Sequence, residues 1–224
     1  MNMKRSEIVV IIPAYNEAKY ITRVLRAVKK TNFRFVVIDD GSSDETAKLA
    51  QRHCDHVLVH RVNLGKGAAL KTGCEYAFTK LNAQAVIFMD SDAQHNPAEL
   101  HLFFEQLQAG AHVVFGVRAF DATMPWIKIT SNRLASVAVK WLYGTYIPDI
   151  PSGYKAMTKW AYSRVKWNSR DYRVELEIAV NVAKRQLQFT TVPVQTIYLD
   201  LNRGFHLLDA LQMGFDLISW RFTK

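Results

Sequence analysis

Five short runs of apolar, largely β-branched residues alternate with helical periodicity along the first half of the chain, and this alternation is what most limits the fold. The runs fall at residues 7–12, 35–38, 57–59, 85–89 and 112–117. Nearly continuous apolar strands of this kind suit a parallel sheet covered on both faces better than a half-exposed one. Between the first two, Ile21, Val24, Leu25 and Val28 recur at i, i+3, i+4 and i+7, the stripe of an amphipathic helix. Strand, helix, strand repeated this way predicts an open α/β sheet with right-handed crossovers. In the second repeat, Ser43 can cap a helix whose first turn carries Asp44 and Glu45, and Asp44 is itself a capping candidate.

Three of the predicted strands end in acid or amide: Pro13-Ala-Tyr-Asn-Glu17, Asp39-Asp40-Gly41-Ser42-Ser43-Asp44, and Met89-Asp-Ser-Asp-Ala-Gln-His95. In open α/β sheets the ligand crevice lies beyond the carboxyl ends of the strands, so these segments should converge in space. Asp90 and Asp92 stand one residue apart where an apolar strand emerges. Their like charges invite a hard divalent cation, Mg²⁺ or Mn²⁺; the alternative is a solvated turn in which Asp92 caps the helix opened by Pro97.

The chain of 224 residues is 49% hydrophobic, enough for one good core, and a single domain over residues 1–224 is expected. Its formal net charge of +9 favours anionic partners: nucleic acid, an anionic membrane surface or a phosphorylated substrate. Basic residues become dense over residues 128–185, with no nucleic-acid-binding pattern among them. Cys54 and Cys74 lack metal-ligand spacing, fall within predicted helices and read as reduced packing residues. No window reaches the length of a membrane span, so a cytoplasmic protein is expected, at most peripheral on the inner face of a membrane.

After Arg118 the pattern changes. Residues 127–143 read as a helix with Ile127, Leu134, Val137, Ala138 and Trp141 inward and Lys128, Arg133 and Lys140 outward. A Pro/Gly turn at 149–155 enters a short strand, residues 174–186 form a helix, and 189–196 form a strand that Pro193 marks as an edge. The tail, 207–222, reads as a helix packed on the domain, with a membrane-surface helix as the minority view.

Six motifs in order resemble the family 2 glycosyltransferases of GT-A fold, and among them the branch that moves mannose or glucose to polyprenyl (dolichyl) phosphate. They are Ile12-Pro-Ala-Tyr-Asn-Glu17, Val37-Ile-Asp-Asp-Gly-Ser-Ser-Asp44, Asn63-Leu-Gly-Lys-Gly67, Met89-Asp-Ser-Asp-Ala-Gln-His-Asn-Pro97, Phe115-Gly-Val-Arg118 and Asp149-Ile-Pro-Ser-Gly-Tyr154. The resemblance implies a nucleoside diphosphate sugar bound by residues 1–118, with Pro13, Tyr15 and Glu17 at the base and ribose and Asp39 with Asp40 accepting from the base. It further implies that Asp90, Ser91 and Asp92 meet the donor and that Asp90, Asp92 and Gln94 hold Mg²⁺ or Mn²⁺. The Gly65-Lys66-Gly67 segment becomes a tight turn that lets a helix approach. Residues 119–224 would serve the acceptor, with Arg118, Arg133, Ser136 and Arg203 on its phosphate. A hydroxyl acceptor would instead need a base, Asp149 first and Glu175 second. The expected activity is inverting, metal-dependent hexosyl transfer from a GDP-mannose or UDP-glucose type of donor. Many members of the branch carry membrane spans that this sequence lacks.

Two other classes compete. A phosphatase of the haloacid dehalogenase type also places Asp-x-Asp after a strand, but on its first strand and with threonine or valine where Gln94 stands. A non-catalytic partner subunit would keep the nucleotide pocket without turnover.

Overall fold

The computed structural model describes residues 3–118, 126–195, 217 and 219–221. Its centre is one seven-stranded sheet of order β3-β2-β1-β4-β6-β5-β7. The first part is built as the alternation predicts: β1 (Ile8–Ala14), α1 (Ile21–Lys29), β2 (Arg34–Asp39), α2 (Thr46–Gln51), β3 (Val57–Val59), α3 (Lys66–Thr79), β4 (Ala85–Phe88), α4 (Leu100–Gln108) and β5 (Val113–Arg118). There follow α5 (Trp126–Tyr143), β6 (Lys155–Thr158), α6 (Lys159–Val165), α7 (Val174–Lys184) and β7 (Thr190–Val194).

All seven residues of β1 are buried because both faces of the sheet are covered. Ile8, Val10 and Ile12 pack with Ile21, Leu25 and Phe103 on one side. Val9 and Ile11 pack with Leu70, Cys74, Val180 and Trp167 on the other. β1 runs parallel to β2 and to β4, pairing Ala14 with Asp39 and Ile11 with Phe88. The register therefore lines up the carboxyl ends of the three strands whose loops carry the acids.

Sequence order gives no warning of where β6 goes. It inserts antiparallel between β4 and β5, pairing Lys155 with both Phe88 and Phe115. Because it runs the other way, its leading end arrives at the carboxyl edge of its neighbours, and the turn before it is delivered into the crevice. β7 pairs with β5, at the edge of the sheet where Pro193 predicts it.

Several local expectations are corrected. On α5, Asn132, Ser136, Val139 and Tyr143 are buried, whereas Leu134, Val137 and Trp141 are exposed. Both sets have helical spacing, so periodicity could not choose between them; the buried set packs Val139 and Tyr143 on the core, and Asn132 finds a polar partner there in Asp149. Helix α2 begins at Thr46, and Asp44 rather than Ser43 receives its first amide, at 2.9 Å. Cys54 lies in the turn after α2, although both cysteines are free and buried. Of the predicted tail helix, Leu217 and residues 219–221 are helical, and Leu217 is buried with its carbonyl accepting from Tyr143 Oη at 2.7 Å; the rest lies outside the described residues.

Candidate active site

The loops after β1, β2 and β4 meet as predicted, and side chains tie them together. Ser91 Oγ donates to the carbonyl of Pro13 at 2.8 Å, joining the first and third loops. Asn16, in the left-handed region at φ 54°, accepts from Ser43 N at 2.9 Å, while its own amide donates to Ser42 Oγ at 2.9 Å, joining the first and second. Glu17 is buried, and its backbone N–H donates to Thr46 Oγ1 at 2.8 Å; Tyr15, in the same loop, is 45% exposed.

The two neighbouring acids at the end of β2 do different things. Asp39 is fully buried; its Oδ2 accepts from Ser42 N at 3.1 Å, and its Oδ1 has no partner among the described residues. A buried carboxylate oxygen left in that state is costly unless a ligand donates to it. Asp40 is already consumed. It accepts from His60 Nδ1 at 2.7 Å, Leu64 N at 3.0 Å and Gly65 N at 2.7 Å, so it braces the 63–67 turn.

That turn is pressed onto the segment before α7. Gly65 has φ +93°, and a Cβ there would lie 2.4 Å from the carbonyl oxygen of Arg170. Trp167 Nε1 donates to Gly67 O at 2.8 Å. The close approach aims Lys66 into the crevice, where its ammonium lies 2.7 Å from Asp90 Oδ1 and 2.6 Å from Glu175 Oε1. The resemblance implies a tight turn here and assigns Lys66 no contact. A lysine between two glycines at a helix start was the available signal.

Asp90 and Asp92 differ sharply in charge environment. Burial would raise the Asp90 carboxyl, but the ammonium of Lys66 outweighs it and holds the group at about 2. Asp92 is pushed up to about 6, by burial first and by the adjacent Asp90 charge second. Ala93, at φ 63°, bends the chain so that Gln94 returns to Asp92, with its backbone N at 3.0 Å from Oδ1 and Nε2 at 2.8 Å from Oδ2. An alanine in the left-handed region is strained, a cost that tends to persist where a turn must aim side chains. Asp90 keeps 25% of its side chain open, so a cation could reach the pair. Two hard carboxylates and a primary amide on one turn, with one carboxylate unsettled by the other, fit Mg²⁺ or Mn²⁺. His95 belongs to the scaffold: its Nδ1 accepts from Asp90 N at 3.1 Å, its ring stacks on Tyr154 at 4.6 Å, and burial lowers it to about 4, so it is neutral.

The turn before β6 bridges this acidic pair to a buried cation. At its far end, Gly153 touches Asp90: a Cβ there would come within 2.4 Å of Oδ2. At its start, Asp149 is fully buried and accepts four hydrogen bonds, from Arg118 N at 2.9 Å, Arg118 Nε at 2.8 Å, Arg118 Nη2 at 2.8 Å and Asn132 Nδ2 at 2.8 Å. Four donors fill the acceptor sites of a carboxylate. Asp149 thus holds Arg118 and is not placed to take a proton from a hydroxyl, which corrects its expected role as a base. Lys155 fixes the turn from beneath. Its fully buried ammonium donates to the carbonyls of Ile150, at 3.0 Å, and Ser152.

Beside Arg118, α5 contributes two buried polar atoms with no partner among the described residues, Asn132 Oδ1 and Ser136 Oγ, one helical turn apart. Ser136, expected at the acceptor phosphate, is fully buried on the same side of the helix as Asn132. Arg133 is exposed on another side of that helix and is not brought into the cluster. Arg203 lies outside the described residues. Glu175, the second candidate base, is buried with Oε1 on Lys66 and Oε2 without a partner among the described residues.

The sequence model of the family described as Glycosyl transferase family 2 matches residues 9–165. The UDP-N-acetylglucosamine–dolichyl-phosphate N-acetylglucosaminyltransferase of Methanococcus voltae is 28% identical over 244 residues, covering 97% of this chain and 97% of that protein. The polyprenol monophosphomannose synthase of Mycolicibacterium smegmatis is 25% identical over 230 residues, covering 94% of this chain and 85% of its own. Among solved structures, the glucosyl-3-phosphoglycerate synthase from Mycobacterium tuberculosis, in complex with Mn²⁺, UDP and phosphoglyceric acid, superposes with a TM-score of 0.75 at 20% identity, over 97% of this chain and 79% of that one. That likeness shows a shared architecture, the GT-A fold.

Proposed function

The chain belongs to glycosyltransferase family 2, and from that premise we propose that it moves a hexose from a nucleoside diphosphate sugar to a polyprenyl phosphate, with inversion. The observation that carries the acceptor assignment is the saturation of Asp149. A hydroxyl nucleophile needs a base, and the first candidate is fully occupied by Arg118 and Asn132. A phosphate monoester, with a second pKa near 6, is already a nucleophile at neutral pH and needs only to be positioned. Arg118, Ser136 and Asn132 offer that positioning, and relatives named for dolichyl and polyprenyl phosphates support the same acceptor.

On the donor side, Asp39 accepts from the base through its unpartnered oxygen, and Tyr15, Pro13 and Glu17 line the base and ribose. Ser91, hydrogen-bonded to the Pro13 carbonyl, keeps that wall against the acidic turn. Asp90, Asp92 and Gln94 would hold Mg²⁺ or Mn²⁺, which when bound neutralises charge growing on the departing diphosphate. Lys66, between Asp90 and Glu175, adds a fixed positive charge on that side. An oxygen of the acceptor phosphate then bonds to the anomeric carbon as the bond from that carbon to the diphosphate oxygen breaks on the opposite face. Residues 1–118 serve the donor and residues from 119 onward the acceptor, around one crevice. No helix of the described residues is long and apolar enough to cross a membrane, and the proposed location is cytoplasmic, peripheral at the inner face.

The test is a panel of UDP- and GDP-sugars with Mn²⁺ and a short-chain polyprenyl phosphate, with the lipid product identified by mass. At least one donor is expected to yield glycosyl phosphoryl lipid with the anomeric configuration inverted. Transfer to a soluble sugar with none to lipid phosphate would overturn the acceptor assignment.

A further inference from the structure

Leu134, Val137 and Trp141 are 65%, 56% and 86% exposed, at i, i+3 and i+7 on one face of α5. Single exposed apolar side chains are ordinary; an aligned row containing a nearly bare tryptophan is not. The neighbours Ala135, Ala138 and Leu142 pack on the core, whereas these three do not. Exposed Arg133 and Lys140 flank the row, and neither makes an ion pair among the described residues. The whole chain carries a net charge of +9.

We propose that this face of α5 is a docking surface for an anionic lipid bilayer, a reading that rests on the polyprenyl phosphate acceptor proposed above. A helix with tryptophan and leucine on one face and lysine and arginine beside them has the composition that settles at the boundary between headgroups and acyl chains, its basic residues drawn to anionic lipid. The opposite side of the same helix carries Asn132, bonded to the Asp149 that anchors Arg118, and Ser136. A helix is about 10 Å across, so docking through one face sets the phosphate-binding face about one helix diameter from the membrane. An acceptor whose chain stays among the lipids could then present its phosphate to Arg118 without leaving the bilayer. A second copy of the chain fits the surface less well. A two-fold contact through this row would bring the two sets of Arg133 and Lys140 together, with no acid in the row to offset them.

The test uses the full chain and vesicles, without donor, so that it is decided independently of turnover. Wild type is expected to sediment with phosphatidylcholine–phosphatidylglycerol vesicles, far less with phosphatidylcholine alone, and less as salt is raised. Combined Leu134→Ser, Val137→Ser and Trp141→Ser should weaken sedimentation at least about tenfold without moving the thermal midpoint, since these side chains are already in water. Lys140→Glu should weaken it about tenfold on anionic vesicles only. Trp141→Phe should keep binding but lose most of the fluorescence quenching by brominated lipid. With a donor identified, the triple variant should keep its kcat/KM on a water-dispersed short-chain prenyl phosphate and lose at least about tenfold on a long-chain acceptor in vesicles. Equal sedimentation of wild type and triple variant would overturn the proposal, as would a concentration-dependent dimer, abolished by the same variant, in a chain that ignores vesicles.

Discussion

Arg118 and Asp149 are joined at three points: the backbone N–H and Nε of Arg118 both donate to Oδ2, at 2.9 and 2.8 Å, and Nη2 donates to Oδ1 at 2.8 Å. The carboxylate is fully buried and the guanidinium nearly so, at 16% exposure. Such a pair fixes the plane of the guanidinium. Arg118→Lys retains charge but not the fork, so kcat/KM for the lipid phosphate should fall about 10- to 100-fold while donor affinity stays within about twofold. Asp149→Ala strands the arginine and should cost about 3–5 kcal/mol of stability, read by chemical denaturation.

Gly153 has no room for a side chain. The methyl of Gly153→Ala would arrive 2.4 Å from Asp90 Oδ2 and 2.9 Å from Oδ1, so either the turn or the carboxylate must move. Affinity for nucleoside diphosphate with Mn²⁺, measured by titration calorimetry, should drop at least about tenfold, while binding without metal changes little. An unchanged metal-dependent affinity would mean that Asp90 does not need its present position.

Asp39 and Asp40, adjacent in sequence, should separate in mutagenesis. Asp40 satisfies His60, Leu64 N and Gly65 N, so Asp40→Ala removes three interactions from a buried carboxylate that braces the 63–67 turn and should cost about 2–4 kcal/mol of stability. Asp39→Ala loses one bond to Ser42 and an unpartnered oxygen, so it should be nearly neutral for folding yet weaken nucleotide binding about tenfold or more. Denaturation and nucleotide titration on both variants give the comparison.

Lys155 should leave a signature in the pH dependence of stability. Burial lowers it from 10.5 to about 8, with the charges of Glu175, Asp149 and Asp90 pulling part of the way back. The folded chain therefore holds this proton more weakly than the unfolded chain, and unfolding takes up a proton between those two values. Stability contributed by this group rises with pH across about 8 to 10.5, by up to about 3 kcal/mol. The difference between wild type and Lys155→Met, followed by denaturation at several pH values, should grow in favour of wild type over that window. A flat difference would place the lysine's proton outside it.

Much of this was legible in the chain. The β-branched runs and the helical stripe at Ile21, Val24, Leu25 and Val28 determined the alternating part of the sheet, because burial on both faces leaves no other pattern. The acids at the ends of β1, β2 and β4 were readable as one crevice, since parallel register brings those ends together. The six ordered motifs were enough for family and activity class. What the sequence left open was decided by contacts between segments distant along it. Antiparallel insertion of β6 carries Asp149 to Arg118 and Gly153 to Asp90, and no local spacing encodes that. Packing of the 63–67 turn on residues 169–171 turns Lys66 from a loop residue into the counter-charge of Asp90. On α5 two faces were equally helical in pattern, and the folded chain buries Asn132, bonded to Asp149, together with Ser136, Val139 and Tyr143 while leaving Trp141 outside. Periodicity fixes which residues share a face; only the partners available in the folded chain determine which face is buried.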